Sequence, residues 1–219
     1  MTPNVETVWA TPDAENLLGY MARVSNPKAR KDDPSDRLIK YLVDHNHWSP
    51  FEMVNLCLKI ETTRDVSRQI LRHRSFSFQE FSGRYATVPE LYNKREVRMQ
   101  DTKNRQNSLP CTDTSLAAAW DTFVVNSAQT ALIKYEWAIE QGIAREVARA
   151  LLPEGLVPTV MYMNGNLRSW IHYVKVRTDP TTQKEHRDVA ELVKLELIRN
   201  FPTMEKVLEG LQAPVLGTS

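Results

Sequence analysis

Between Met53 and Arg72 the hydrophobic period of this chain changes once, and that change limits the folds open to it. In MVNLCLKIE (53–61), Val54, Leu56, Leu58 and Ile60 alternate with Asn55, Cys57, Lys59 and Glu61. A period of two puts the two sets on opposite faces of a strand, one of them apolar. In TTRDVSRQILR (62–72), Val66, Ile70 and Leu71 recur at helical spacing instead. A half-buried strand that runs directly into a helix needs further elements to cover its apolar face.

The rest of the chain offers mostly helices. Residues 12–24 form one candidate, with Pro12 and Asp13 in the first turn and Leu17, Leu18, Met21 and Val24 on one face. Residues 34–45 form a second, capped by Ser35, with Leu38, Ile39, Leu42 and Val43 inward; His47-Trp48-Ser49-Pro50 breaks it. Residues 115–141 read as the longest helix. Its stripe is Leu116, Trp120, Phe123, Ser127, Ala131 and Tyr135, and it ends at Gly142. A short helix over 143–152 stops at Pro153, and VPTVMYM (157–163) is rich in strand formers. Residues 167–176 and 183–200 are helical, parted by Thr178-Asp179-Pro180. Residues 89–114 are polar and without period, which predicts a loop or excursion. Strands and helices do not alternate strictly, so the expected class is α+β.

The balance of charge excludes some functions. Formal net charge is +1, without the basic excess of a dedicated nucleic-acid-binding domain. Cys57 and Cys111 form no CxxC pair, which speaks against a disulfide framework and a zinc site. The five histidines (45, 47, 73, 172 and 186) make no HExxH set, so no metal is expected. The N-terminus lacks a signal-peptide pattern and no run is long enough for a membrane helix. A cytoplasmic protein with no membrane and no nucleic-acid partner is the expectation.

The chemistry concentrates in 62–85. Five arginines (64, 68, 72, 74 and 84) face only two acids, Asp65 and Glu80, and there is no lysine. The guanidinium is a planar fork suited to phosphate or carboxylate. Arg68 and Arg72 lie four apart, on one helical face, where like charges are tolerated best with an anion between them. A solvated basic helix would also account for the charges. Ser75, Ser77 and Ser82, the bare backbone of Gly83, and the rings of Phe76, Phe78, Phe81 and Tyr85 favour a planar anionic ligand instead.

Arg72-His73-Arg74, seven further residues, then Ser82-Gly83-Arg84 resembles the signature of the flavin-dependent thymidylate synthases, RHR, seven residues, S-x-R. Gln69, Glu80 and Tyr85 fit its flanks. Further blocks are similar in order: Ala22-Arg23-Val24-Ser25, His47-Trp48-Ser49-Pro50-Phe51-Glu52, Arg145-Glu146-Val147-Ala148-Arg149 with Leu152-Pro153, and Asn166-Leu167-Arg168-Ser169 with His172 and Arg177. Met53 stands where the family often has histidine, and Ser49 where it often has threonine.

The resemblance implies one helix-rich catalytic domain over 1–219 with a small, mostly antiparallel sheet. It implies reductive methylation of dUMP to dTMP, with methylenetetrahydrofolate as carbon donor, FAD as redox cofactor and NADPH as reductant. It further implies a homotetramer with FAD in a cleft between subunits. On the same basis Ser49, Arg72, His73, Arg74, Glu80, Asn166, Arg168 and His172 hold FAD. Gln69, Arg72, Glu80, Phe81, Ser82, Gly83, Arg84, Arg149 and Arg177 meet dUMP, and Arg177 is the catalytic arginine at the uracil ring.

The residues themselves leave rivals. Arg149 could pair with Glu146 or Glu154, Arg168 and Arg177 could be surface arginines, and His172 a core histidine. Cys111 follows Pro110 as the nucleophile of a flavin-free thymidylate synthase would, but Thr112 replaces the expected histidine. An RNA- or nucleotide-binding module built on the arginine-aromatic segment would bind no flavin, and its affinity would fall steeply with salt.

Overall fold

The computed structural model describes residues 2–25, 35–92 and 94–210. Strand β2 (Asn55–Thr63) forms where the alternation predicts it and lies inside a four-stranded sheet. It pairs antiparallel along its whole length with β6 (Pro158–Asn166), Asn55 opposite Asn166 and Thr63 opposite Pro158. This register carries β6 three residues past the 163 expected from composition. β1 (Asn4–Ala10) pairs the other side of β2, and β3 (Ser77–Glu80) the other side of β6. The order is β1-β2-β6-β3, antiparallel throughout.

Alternation sends Leu56, Leu58 and Ile60, with Met161 and Met163 of β6, to one face, where all five are fully buried. Helices α1 (Ala14–Ala22), α2 (Ser35–Asp44), α6 (Leu167–Arg177), α7 (Lys184–Asn200) and α8 (Met204–Gly210) cover that face with Leu18, Ile39, Trp170, Val193 and Met204. Each such side chain contributes about 1.5–3 kcal/mol when taken from water. The Trp170 indole N–H donates to the Leu56 carbonyl at 3.0 Å and pins α6 to β2. The opposite sheet face carries Asn55, Lys59 and Glu61 and is only partly covered. Pro34, the first residue of the second expected helix, lies outside the described residues.

α3 (Arg64–Ile70) begins directly after β2, as the change of period predicts; Thr62 and Thr63 still belong to the strand. A tight turn through Arg72–Phe76 then lays β3 against β6. That pairing needs Gly165, because a Cβ there would lie 2.3 Å from the Phe76 ring.

α4 (Thr114–Glu140) is capped by Asp113, whose carboxylate accepts from the Ser115 and Leu116 N–H groups. Gly142, with φ 78°, follows its last turn. The stripe expected for α4 needs correction. Val124, Ala128, Tyr135 and Ala138 are its buried side, whereas Trp120 is exposed and Phe123 is 68% exposed. The helix is apolar on more than one side, and among the described residues a small second core of Val88, Ala148 and Val157 packs on it. Residues 143–152 are one short helix, α5 (Arg145–Ala148), tightening to a 3-10 turn over Arg149–Leu151.

The 89–114 segment is an excursion that contains a small hairpin, β4 (Arg98–Gln100) paired with β5 (Ser108–Pro110). Two nearby residues, Arg95 and Arg98, tie it down. Trp120 of α4 donates to the Arg95 carbonyl at 2.7 Å, and Arg98 pairs with Glu185 of α7 at 2.8 Å. No described helix is long and apolar enough to cross a membrane.

Candidate active site

α3 carries the first two arginines of the run, Arg64 and Arg68. Arg64 and Arg68 line a cleft of ≈ 420 Å³ with Gly83, Glu146, Arg149 and Glu154. Gly83 is buried, and a Cβ there would sit 3.7 Å from Arg64 Nη1 and 4.0 Å from Arg149 Cδ. Two guanidinium side chains thus flank a stretch of bare backbone. Among the described residues neither Arg64 nor Arg149 has a carboxylate partner, so the surface pairing of Arg149 with Glu146 or Glu154 does not form. Arg84 takes Glu146 at 3.4 Å, and Arg68 takes Glu154 at 3.1 Å. Unpaired cations beside bare backbone suit an anionic ligand.

The neighbouring residues are held by short polar contacts. Glu80 accepts from the Ser67 hydroxyl at 2.7 Å and the Thr159 hydroxyl at 2.9 Å, which fixes its carboxylate beside α3. Ser82 Oγ accepts from the Arg84 N–H at 3.4 Å within a turn, and among the described residues no His-Asp pair adjoins it to make it a nucleophile. Phe81 packs into the small core under α4.

A second corner holds histidines that stay neutral. The Arg177 Nε–H donates to His73 Nε2 at 2.8 Å, which requires a lone pair on that nitrogen. Burial, the Arg177 charge and His172 together lower His73 to about 4. Tyr173 packs edge-on against the His73 ring, centroids 4.9 Å apart, and its hydroxyl meets His186 Nε2 at 3.1 Å. Burial first, then the charges of Arg177 and His73, lower His186 to about 3. Arg177 is therefore not a loose surface arginine. Its Nε is spent on His73, and among the described residues its terminal nitrogens carry no carboxylate.

The third feature is a second cleft, of ≈ 550 Å³, lined by Trp48, Glu52, Ser75, Asn166, Arg168, Ser169, Ile171, His172 and Lys175. It lies at the N-terminal end of α6, where Asn166 caps the helix by accepting from the Ser169 N–H at 2.9 Å. A helix N-terminus, Arg168, Lys175 and a Trp ring together suit a dinucleotide's phosphates and flat base. Glu52 pairs with Arg168 and fixes its direction. His172 is exposed to this cleft rather than buried in the core.

The sequence-predicted residues thus fall into groups. Gly83 and Arg149 share the first cleft, with Glu80, Phe81, Ser82 and Arg84 on the segment that builds it. His73 and Arg177 touch each other, and Asn166, Arg168 and His172 share the second cleft. Ser49 sits in the 3-10 turn Ser49–Met53, beside the cleft residues Trp48 and Glu52. Arg72 and Arg74 are exposed, and among the described residues they have no ion-pair partner. Gln69 bonds Gln183 rather than a cleft residue. Sequence reasoning overlooked Arg64 as a cleft residue, and also Tyr173, Gln183 and His186. Arg64 was visible as the first cation of the arginine run; the other three carried no local signal.

Residues 6–203 match the family model described as Thymidylate synthase complementing protein. The chain is 47% identical over 201 residues to a flavin-dependent thymidylate synthase of a Synechocystis species, covering 89% of each chain. It is 44% identical over 197 residues to a probable flavin-dependent thymidylate synthase of Paramecium bursaria Chlorella virus 1, covering 90% of this chain and 91% of the other. Its fold is similar to that of a UMP/dUMP methylase, PolB, from Streptomyces cacaoi, solved with 5-Br UMP. The TM-score is 0.83 at 25% identity, over 97% of this chain and 96% of that one.

Proposed function

We propose a division of labour for a chain that belongs to the thymidylate synthase complementing protein family and is a flavin-dependent enzyme methylating dUMP to dTMP. One observation carries it: two unpaired arginines, Arg64 and Arg149, flank the bare backbone of Gly83. That cleft receives the dUMP phosphate, with Arg84, Arg72 and the Ser82 turn at its rim and Glu80, Gln69 and Phe81 nearer the base. Anchoring the phosphate holds the pyrimidine in one place, and orientation of this kind accounts for much of a bimolecular barrier.

Arg177 is the catalytic residue at the uracil ring. Methylation needs electron density at C5, so negative charge develops on the ring, and a fixed guanidinium stabilises it. An arginine suits this because it does not lose its own proton. The Arg177–His73 bond at 2.8 Å sets its direction, and the neutral state of His73 leaves the arginine as the local positive charge.

The second cleft, at the N-terminus of α6, fits FAD. Asn166, Arg168 and His172 of that cleft, with Ser49 beside them, hold its adenine nucleotide end, and Arg72, His73, Arg74 and Glu80 are assigned to the rest of the cofactor on the family resemblance. When bound, the flavin supplies the two electrons that convert a methylene into a methyl group. Methylenetetrahydrofolate is the carbon donor and NADPH the reductant of this scheme. The assembly is a homotetramer of this chain. The outward rings of Phe123 and Trp137 on α4 supply an apolar face for such an interface.

The test is spectroscopic. Purified protein should show a flavin absorbance band, and anaerobic NADPH should bleach it at a rate that changes with dUMP. A protein that takes up no FAD and ignores dUMP would overturn the assignment.

A further inference from the structure

Gln69 enters a run of polar groups drawn from distant parts of the chain. Its Nε2 donates to Gln183 Oε1 at 2.6 Å, and Gln183 Nε2 donates to Glu185 Oε2 at 2.9 Å. On its other side Gln69 Oε1 lies 3.3 Å from His186 Nδ1, and His186 Nε2 lies 3.1 Å from the Tyr173 hydroxyl. His186 and Tyr173 are fully buried, so neither can exchange these partners for water.

One end decides the direction of every bond. Burial raises the Glu185 carboxyl, but hydrogen bonds from Gln183 and Arg98 and the charge of Arg95 outweigh it and hold it below the usual range. An ionised carboxylate only accepts. Gln183 must then turn its NH₂ to Glu185 and its oxygen to Gln69. Gln69 must turn its NH₂ to Gln183 and its oxygen to His186. The His186 proton is left on Nδ1, and Nε2 accepts from Tyr173, whose phenol burial keeps protonated. Arg98 of β4, 2.8 Å from Glu185, and Arg95, 3.8 Å away, clamp the accepting end from the excursion.

We propose that Gln183 and His186 are positioning residues that fix which end of the Gln69 amide faces the substrate's pyrimidine. The inference rests on the reading of Gln69 as a dUMP contact. After these two bonds Gln69 keeps one N–H and one lone pair, and a turned amide would exchange them. An amide, unlike a carboxylate or an ammonium, has two nearly isosteric orientations, so something outside the substrate has to choose between them. The chain makes that choice before substrate arrives, and the excursion takes part in the site through Arg98 and Arg95 without touching the ligand.

Two measurements test this on the flavin-loaded protein. Calorimetric titration with dUMP compares wild type, Gln69→Leu, Gln183→Leu and the double variant. Gln183→Leu should weaken dUMP by about tenfold, the scale of one mispaired buried polar group, with flavin content unchanged. The double variant should bind no more weakly than Gln69→Leu alone, because Gln183 acts through Gln69; additive losses would overturn the proposal. Nitrogen-15 spectra of histidine-labelled protein, with the His186 signals identified by their loss in His186→Gln, should show the Nδ1–H tautomer. The Nε2–H tautomer would overturn the proposal even if Gln183→Leu failed to fold. A wild-type protein that bound no dUMP would sink the proposed function, and the tautomer would still decide the chain.

Discussion

Replacing His186 by glutamine should make stability less sensitive to acid, in a window that follows from the burial of the ring. His186 is fully buried, and its folded pKa is about 3, against an ordinary value of 6.5. The folded pKa is the lower one, so the unfolded chain binds the proton more readily. Stability is therefore complete above pH 6.5 and drains away as pH falls, until the folded ring also titrates. Each pH unit of one-proton difference is worth about 1.36 kcal/mol. Between pH 8 and pH 5 the wild-type protein should lose about 2 kcal/mol through His186 alone. His73, lowered to about 4 but only partly buried, adds a smaller loss of the same sign. His186→Gln cannot take up the proton. It should cost stability at pH 8, by breaking the bonds to Tyr173 and Gln69, but about 2 kcal/mol less at pH 5. Urea unfolding followed by tryptophan fluorescence, at fixed protein and flavin concentration, measures both. Above pH 5 nearly all carboxylates stay charged, so the comparison isolates histidine. A wild-type-to-variant difference that is constant from pH 8 to pH 5 would refute the reasoning, since the ring would then not be held neutral by its surroundings.

Three other results should follow from local geometry. Gly83→Ala places its methyl 3.7 Å from Arg64 Nη1, an ordinary contact. Stability should change by no more than about 0.5 kcal/mol, while dUMP affinity in calorimetry drops because the methyl fills the anion's approach. Gly165→Ala should do the reverse: a Cβ 2.3 Å from the Phe76 ring costs about 1–3 kcal/mol in urea unfolding as β3 is pushed from β6. Cys111→Ala should keep full thymidylate synthase activity, since Cys111 sits in the turn before α4 with its thiol at 3.5 Å from the Asp113 carbonyl; loss of all activity would restore the cysteine-nucleophile mechanism.

How much of this was legible in the sequence depends on the distance over which each feature is set. β2 and α3 were readable because hydrophobic period is local, and so was the arginine run that lines the first cleft. β3 was not, because Ser77-Phe78-Gln79-Glu80 is too short to show a period, and its partner β6 is far away in the chain. β1 is an edge strand whose alternation is broken by a bulge between Thr7 and Trp9. α4 shows the opposite difficulty: it is apolar on several sides, so its pattern could not say which side the fold buries. The site divides in the same way. Gly83 and Arg149 meet because one cleft gathers two motifs that were each visible alone. Gln69, Gln183 and His186 meet only through the packing of α3 against α7, and polar side chains leave no periodic trace when they are buried.

That contrast bears on what the excursion does. A polar segment without period reads as dispensable surface, and 89–114 has few apolar residues to hold it in place. Yet Arg95 also pairs with Asp65 at 2.6 Å at the start of α3, while Arg98 holds Glu185 at the start of α7. α3, which carries Gln69, and α7, which Gln183 immediately precedes, are thus bracketed by one short stretch of chain, near the ends where each begins. Ion pairs at exposed surfaces contribute little, but these arginines are mostly covered, with side chains 19% and 15% exposed. Their carboxylate partners are fixed as acceptors, and that fixes the sense of hydrogen bonds further in. A segment with almost no core of its own can in this way govern the orientation of an amide it never reaches.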